Sequence, residues 1–153
     1  MTRALASLSA PAAPRASRPA PIPQGSDIAL PTAFLAFYAL QQPTYRAYAA
    51  AHTTPAEAEA VIRDAFGTLP AHWSDILMRP DPIAYTWDLF TSIMRRSTHR
   101  LRLPADCPLQ YEIVVLHYLA GCTPEHISDT TGRHLGKVRY LLSTWAPSKI
   151  SST

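Results

Sequence analysis

A helix start signal followed by an apolar stripe is the feature that most constrains this chain. Thr54-Pro55-Ala56-Glu57 provides a capping hydroxyl, a proline for the first helical position and a glutamate three residues after the cap. Apolar residues then recur at helical spacing along one face: Ala58, Val61, Ile62, Ala65, Phe66 and Leu69. Since no segment of useful length shows the alternation typical of a strand, the fold class is predicted to be all-α.

Prolines and composition divide the chain into two small helical domains. Residues 1–26 are rich in Ala and Pro, lack aromatic residues and are predicted to be a disordered tail, although their arginines and lack of acids also suit a transit peptide. The further predicted units are a helical domain at 27–100, a short linker at 101–107, a helix-turn-helix domain at 108–147 and a tail at 148–153. Pro43 is expected to end or kink the first helix, with Thr44 to His52 as its continuation.

Several classes of protein are excluded by what the sequence lacks. Its apolar stretches fall well short of the roughly 20 residues that span a bilayer, so no membrane partner is expected. Cys107 and Cys122 lie outside disulfide-scaffold and zinc-finger patterns, which indicates a reducing, cytoplasmic setting. His117 and His126 lie near Cys122, but a helix break separates these residues and a stable zinc site needs three or four ligands. With neither a Gly-x-Ser-x-Gly elbow nor a glycine-rich phosphate loop, we expect no enzyme activity, no metal and no cofactor.

The last forty residues form a pattern typical of DNA binding. Thr123-Pro124-Glu125 starts a short helix, Gly132 permits a tight turn, and a second helix is predicted from about His134 to Trp145. One side of this second helix is apolar and should pack inward: Leu135, Val138, Leu141, Leu142 and Trp145. The opposite side and its flank carry the groups that contact phosphates and base edges: Arg133, Lys137, Arg139, Tyr140, Ser143 and Thr144.

The distribution of charge along the sequence agrees with the division into two predicted domains. Residues 27–94 carry three arginines against seven acidic residues, whereas residues 95–153 carry eight basic against four acidic residues. A basic C-terminal part favours a polyanion as its partner, and a mildly acidic middle part favours a protein surface.

The motifs resemble those of compact bacterial sigma factors of the extracytoplasmic-function type. The similar segments are Ala58 to Phe66, Pro82 to Tyr85, Gln110 to Gly121, Glu125 to Ser128 and Gly132 to Arg139. In such factors the first segment belongs to a helix that lies on the polymerase clamp, and the second begins the helix that reads the minus-ten element. The last three belong to the domain that reads the minus-thirty-five element. The resemblance extends over about residues 30–146.

The resemblance implies partners and a role for particular residues. Core RNA polymerase would contact the outer face of the Thr54 to Leu69 helix, where Glu59, Arg63 and Asp64 are the candidates. Promoter DNA would contact both domains, and the minus-ten candidates are Tyr85, which could stack on an unpaired base, and the cations Arg95, Arg96 and Arg100. An anti-sigma protein is a further partner by family analogy.

Departures from the family pattern leave two alternatives open. Thr91-Ser92-Ile93-Met94 stands where the melting domain usually has an Ala-Arg-Asn run. The chain could therefore be a degenerate sigma-like regulator that binds polymerase or another sigma factor without opening DNA. Alternatively, it could be a stand-alone helix-turn-helix regulator that binds duplex DNA as a dimer.

Overall fold

The computed structural model describes residues 30–145, so both predicted tails, 1–26 and 148–153, lie outside the described residues. The α-helices are α1 (Thr32–His52), α2 (Pro55–Thr68), α3 (Trp73–Leu77), α4 (Pro82–Ser97), α5 (Pro108–Val114), α6 (Pro124–Thr131) and α7 (Leu135–Thr144). A 3₁₀ turn at Pro70–His72 precedes α3, and a π-helical turn at Val115–Leu119 continues α5. No strand occurs between residues 30 and 145, which confirms the all-α fold class for this part of the chain.

Three helices begin as the sequence predicts, with a proline in the first turn behind a capping side chain. Thr54, Asp81 and Thr123 each accept a hydrogen bond from the backbone amide three residues later, at 3.3, 2.9 and 3.2 Å. In α2 the capping box is complete, because Glu57 accepts in return from the amide of Thr54. These side chains occupy backbone donors that have no partner inside the helix, so they fix where each helix begins.

The first helix runs through Pro43 to His52, so Thr44 to His52 continue it as expected and the proline does not end it. A proline inside a helix removes one backbone hydrogen bond and costs about 3 kcal/mol or more. Tyr45 and Tyr48, which follow Pro43, are almost completely buried, and Tyr45 lies against Phe90 with ring centroids 4.6 Å apart. Burial of these rings, at about 1.5–3 kcal/mol each, is enough to offset the proline.

The two predicted domains share one continuous core in the described residues. The buried cluster runs from Phe34 in α1 to Leu141 in α7, and α6 packs directly on α4. The turn between α6 and α7 lies so close to α4 that a Cβ added to Gly132 would be 2.5 Å from the amide nitrogen of Ala84. The non-helical segment 98–107, which includes the predicted linker, therefore connects two units that are packed against each other.

Candidate nucleic-acid interface

Helix α7 is held in place by its turn and by the helix beneath it. Gly132 adopts a left-handed conformation with φ +67°, which a residue with a side chain rarely adopts, and thereby reverses the chain after α6. The buried amide of Gln110 in α5 donates to the Leu141 carbonyl at 2.9 Å and accepts from the Asp106 backbone at 2.7 Å. Val138 and Leu141 are buried, whereas Leu135, Leu142 and Trp145, also predicted to point inward, are only partly buried.

Four of the predicted DNA-contacting residues lie on the exposed face of α7: Lys137, Arg139, Tyr140 and Ser143. The Tyr140 ring is 60% exposed, and the Lys137 ammonium lies 5.8 Å from its centroid. A large aromatic ring with little cover is available to contact a base edge or a sugar. We call these four residues the α7 face.

Arg139 also contacts Glu125 of α6. Its guanidinium lies 2.6 Å from the Glu125 carboxylate, and both side chains are more than half exposed. A backbone hydrogen bond within Glu125 and the Arg139 guanidinium lower the pKa of this carboxyl group. Since exposed ion pairs of this kind contribute about 0–1 kcal/mol, a phosphate group can replace Glu125 as the partner of Arg139 at little cost.

Two further residues predicted for this face form hydrogen bonds to neighbouring helices, although Thr144 is also exposed. Arg133 lies in the turn before α7, and its guanidinium donates to both carboxylate oxygens of Asp88 in α4, at 2.9 and 3.0 Å. The Thr144 hydroxyl accepts from the Gln110 amide at 3.1 Å and donates to the Leu141 carbonyl at 3.3 Å. In this arrangement Arg133 points to α4, and Thr144 completes the attachment of α7 to α5.

The minus-ten candidates of α4 differ in how accessible they are. Tyr85 is partly buried, and the Arg79 guanidinium covers its ring at 4.1 Å from the centroid, so stacking on a base would require Arg79 to move away. Arg95 and Arg96 are exposed in the last turn of α4, where cations favour the negative end of the helix dipole. Arg100 is exposed just beyond it and lies over the Tyr111 ring at 4.5 Å.

The polymerase candidates all lie on the exposed side of α2. Glu59 pairs with Arg46 of α1 at 2.6 Å, and both side chains are nearly half exposed. Arg63 and Asp64 are exposed and form no ion pair with the described residues. This side of α2 can therefore contact another protein without changing the core beneath it.

The two histidines near Cys122, which the sequence presents as candidate metal ligands, form hydrogen bonds inside the molecule. His117 bonds to the Cys122 carbonyl at 2.8 Å, and His126 bonds to the Thr44 hydroxyl at 2.6 Å. Within residues 30–145, no three His, Cys, Asp or Glu side chains are grouped so that they could hold a metal ion. The helices of that same range include none that combines the length and apolar character needed to cross a membrane.

The fold and this surface define an all-helical protein with a partly cationic, partly aromatic helix face. Comparison with known protein families, with curated proteins and with solved structures gives no match for the chain.

Proposed function

We propose that the chain is a sigma-like transcription initiation factor, which binds core RNA polymerase and directs it to promoter DNA without catalysing a reaction itself. The observation that carries this proposal is the α7 face. It lies on the second of two helices joined by a three-residue turn, and Val138 and Leu141 support it from behind. A helix presented in this way fits the major groove of duplex DNA.

Each residue of the α7 face has a distinct role in this proposal. Lys137 and Arg139 neutralise phosphates and supply affinity that falls with salt concentration. Tyr140 and Ser143 contact sugar or base edges and supply the preference for a sequence. The exposed side of α2, with Glu59, Arg63 and Asp64, would bind the polymerase, and the arginines at the end of α4 would contact the backbone of the minus-ten region.

One observation favours a second candidate function. The minus-ten and minus-thirty-five elements lie about 25 base pairs apart, or about 85 Å at 3.4 Å per pair, whereas α6 packs directly on α4 in this structure. Both elements can be read together only after the two units separate. A regulator that binds polymerase or duplex DNA while remaining closed, and that does not melt a promoter, is the alternative.

The test combines a complex with polymerase and a DNA-binding assay on the full chain. We expect the purified protein to co-elute with core polymerase and to select a promoter sequence from a random library. Lys137→Ala should weaken binding on all sequences and reduce the salt slope by about one unit, whereas Tyr140→Ala should relax preference at one position. Tyr38→Ala, which removes an exposed tyrosine of α1, is the control and should leave DNA affinity unchanged.

The outcomes separate the candidates. A polymerase complex with unpaired thymines at the minus-ten element, detected by permanganate reactivity, supports the initiation factor. A polymerase or sigma complex on DNA that stays fully paired supports the regulator. If the protein forms no complex with polymerase, with a sigma factor or with DNA, both candidates are ruled out.

A further inference from the structure

A cavity of about 130 Å³ lies where α1, α4, α5 and the segment 98–107 meet. All four contribute residues to its lining. No local sequence pattern indicates this cavity, because its lining comes from distant parts of the chain. Its size is close to that of an apolar cavity of about 150 Å³ that binds benzene in another protein, so one six-membered ring fits it.

The buried end of the cavity carries hydrogen-bonding groups with unused capacity. The Tyr48 side chain is 3% exposed, and its hydroxyl makes no hydrogen bond to the described residues. Glu112 is 6% exposed and accepts a long bond, 3.4 Å, from the indole nitrogen of Trp87. Burial raises the pKa of Glu112, which shifts its carboxyl group toward the protonated form, although Trp87 and Thr91 act in the opposite direction. Buried polar groups usually have partners, so these two can receive a polar ligand atom.

The outer end of the cavity is cationic. Arg95, Arg100 and Pro108 are the exposed lining residues and therefore surround the opening to solvent. Neither guanidinium forms an ion pair with the described residues. Burial lowers the pKa of His52 and so disfavours its charged form, and its ring nitrogens contact the Tyr48 carbonyl and the Tyr111 hydroxyl.

We propose that this cavity is a binding site for a small monocyclic aromatic acid. The ring would lie between the aromatic and methionine side chains of Tyr48, Met94 and Tyr111, the carboxylate would pair with Arg95 and Arg100, and a ring hydroxyl would bond to Tyr48 and Glu112. Arginine is well suited to this role, since its planar fork matches a carboxylate. Ligand binding at this site requires neither DNA nor polymerase. Its test is therefore independent of the test of the proposed function.

Isothermal titration calorimetry of the full chain at neutral pH tests the site, with 4-hydroxybenzoate as the probe and phenol as its uncharged counterpart. We expect saturable binding of one 4-hydroxybenzoate per chain and at least tenfold weaker binding of phenol, because phenol cannot pair with the arginines. Tyr48→Phe keeps the ring and should weaken 4-hydroxybenzoate binding about three- to tenfold, the range of one hydrogen bond.

Substitutions of the two arginines at the opening of the cavity complete the test. Arg95→Gln and Arg100→Gln should each weaken binding of 4-hydroxybenzoate while leaving phenol unaffected. Arg102→Gln, which removes an exposed arginine of the same segment outside the cavity lining, is the matched control and should change neither. Absence of saturable 4-hydroxybenzoate binding at millimolar concentration would overturn the proposal, as would equal affinity for phenol or equal loss in the Arg102→Gln variant.

Discussion

Replacement of Gly132 by alanine tests the packing of the two units against each other. The φ of +67° at this position alone costs an alanine about 1–2 kcal/mol. In addition, the new Cβ would lie 2.5 Å from the nitrogen and 2.9 Å from the Cα of Ala84, both of which are backbone atoms of α4. Helical backbone cannot move aside as a flexible side chain can, so overpacking should add about 1–3 kcal/mol. We expect Gly132→Ala to lower the free energy of unfolding by about 2–5 kcal/mol.

Gly121 supplies the matched control for this prediction. It has nearly the same conformation, with φ +73°, but no atom lies within 4 Å of the position of an added Cβ. Gly121→Ala should therefore cost only the conformational part, about 1–2 kcal/mol. Urea unfolding followed by circular dichroism gives both values, and their difference measures the close approach of α4. If the two variants lose the same stability, the contact between Gly132 and α4 does not exist in solution, and the predicted division into separate domains is favoured instead.

Three further experiments test other parts of the structure. Gln110→Ala should cost about 2–4 kcal/mol in urea unfolding, because it removes three hydrogen bonds made by a buried side chain, and a loss below 1 kcal/mol would contradict this attachment of α7. The pKa of Glu112 is raised in the folded protein, so its protonated carboxyl group stabilises the folded state. This contribution to the free energy of unfolding is fully present below the ordinary pKa of 4.5 and is lost as pH rises through the higher pKa of the folded state. Glu112→Gln should therefore gain stability relative to the wild type as pH rises from about 4 to 8, and a constant difference would contradict the shift. A double-mutant cycle of Asp88→Asn and Arg133→Gln should give a coupling of about 1 kcal/mol or less that decreases with salt, since the Arg133 and Asp88 side chains are 35% and 54% exposed.

Local features of the fold could be predicted from the sequence because their causes are local. The cap at Thr54 and the turn at Gly132 depend on residues within three or four positions, and both occur where the sequence indicates. The exposed positions of the α7 face follow in the same way from the helical period. Within its own segment, each of these features is determined by backbone hydrogen bonding and by the angle of 100° between successive residues.

The shared core could not be predicted because its contacts join distant segments. Asp88 and Arg133 are 45 residues apart, and neither carries a signal that it pairs with the other. A basic residue next to a turn glycine fits a DNA contact as well as an internal ion pair, so the sequence pattern does not distinguish the two positions of Arg133. Gln110 is a polar residue in an apolar helix, and only the position of α7 shows that its amide is fully used.

The energies of these contacts determine which steps of DNA binding are easy and which are difficult. Release of Arg133 from Asp88 costs about 1 kcal/mol or less, so α7 could recruit this arginine to a phosphate without leaving the core. Separation of α6 from α4 costs more free energy than release of Arg133, because each apolar side chain that leaves the shared core costs about 1.5–3 kcal/mol. Under the proposed function, duplex binding by α7 alone should therefore occur in the closed form. Simultaneous reading of both promoter elements would instead require polymerase to supply the energy that separates the two units.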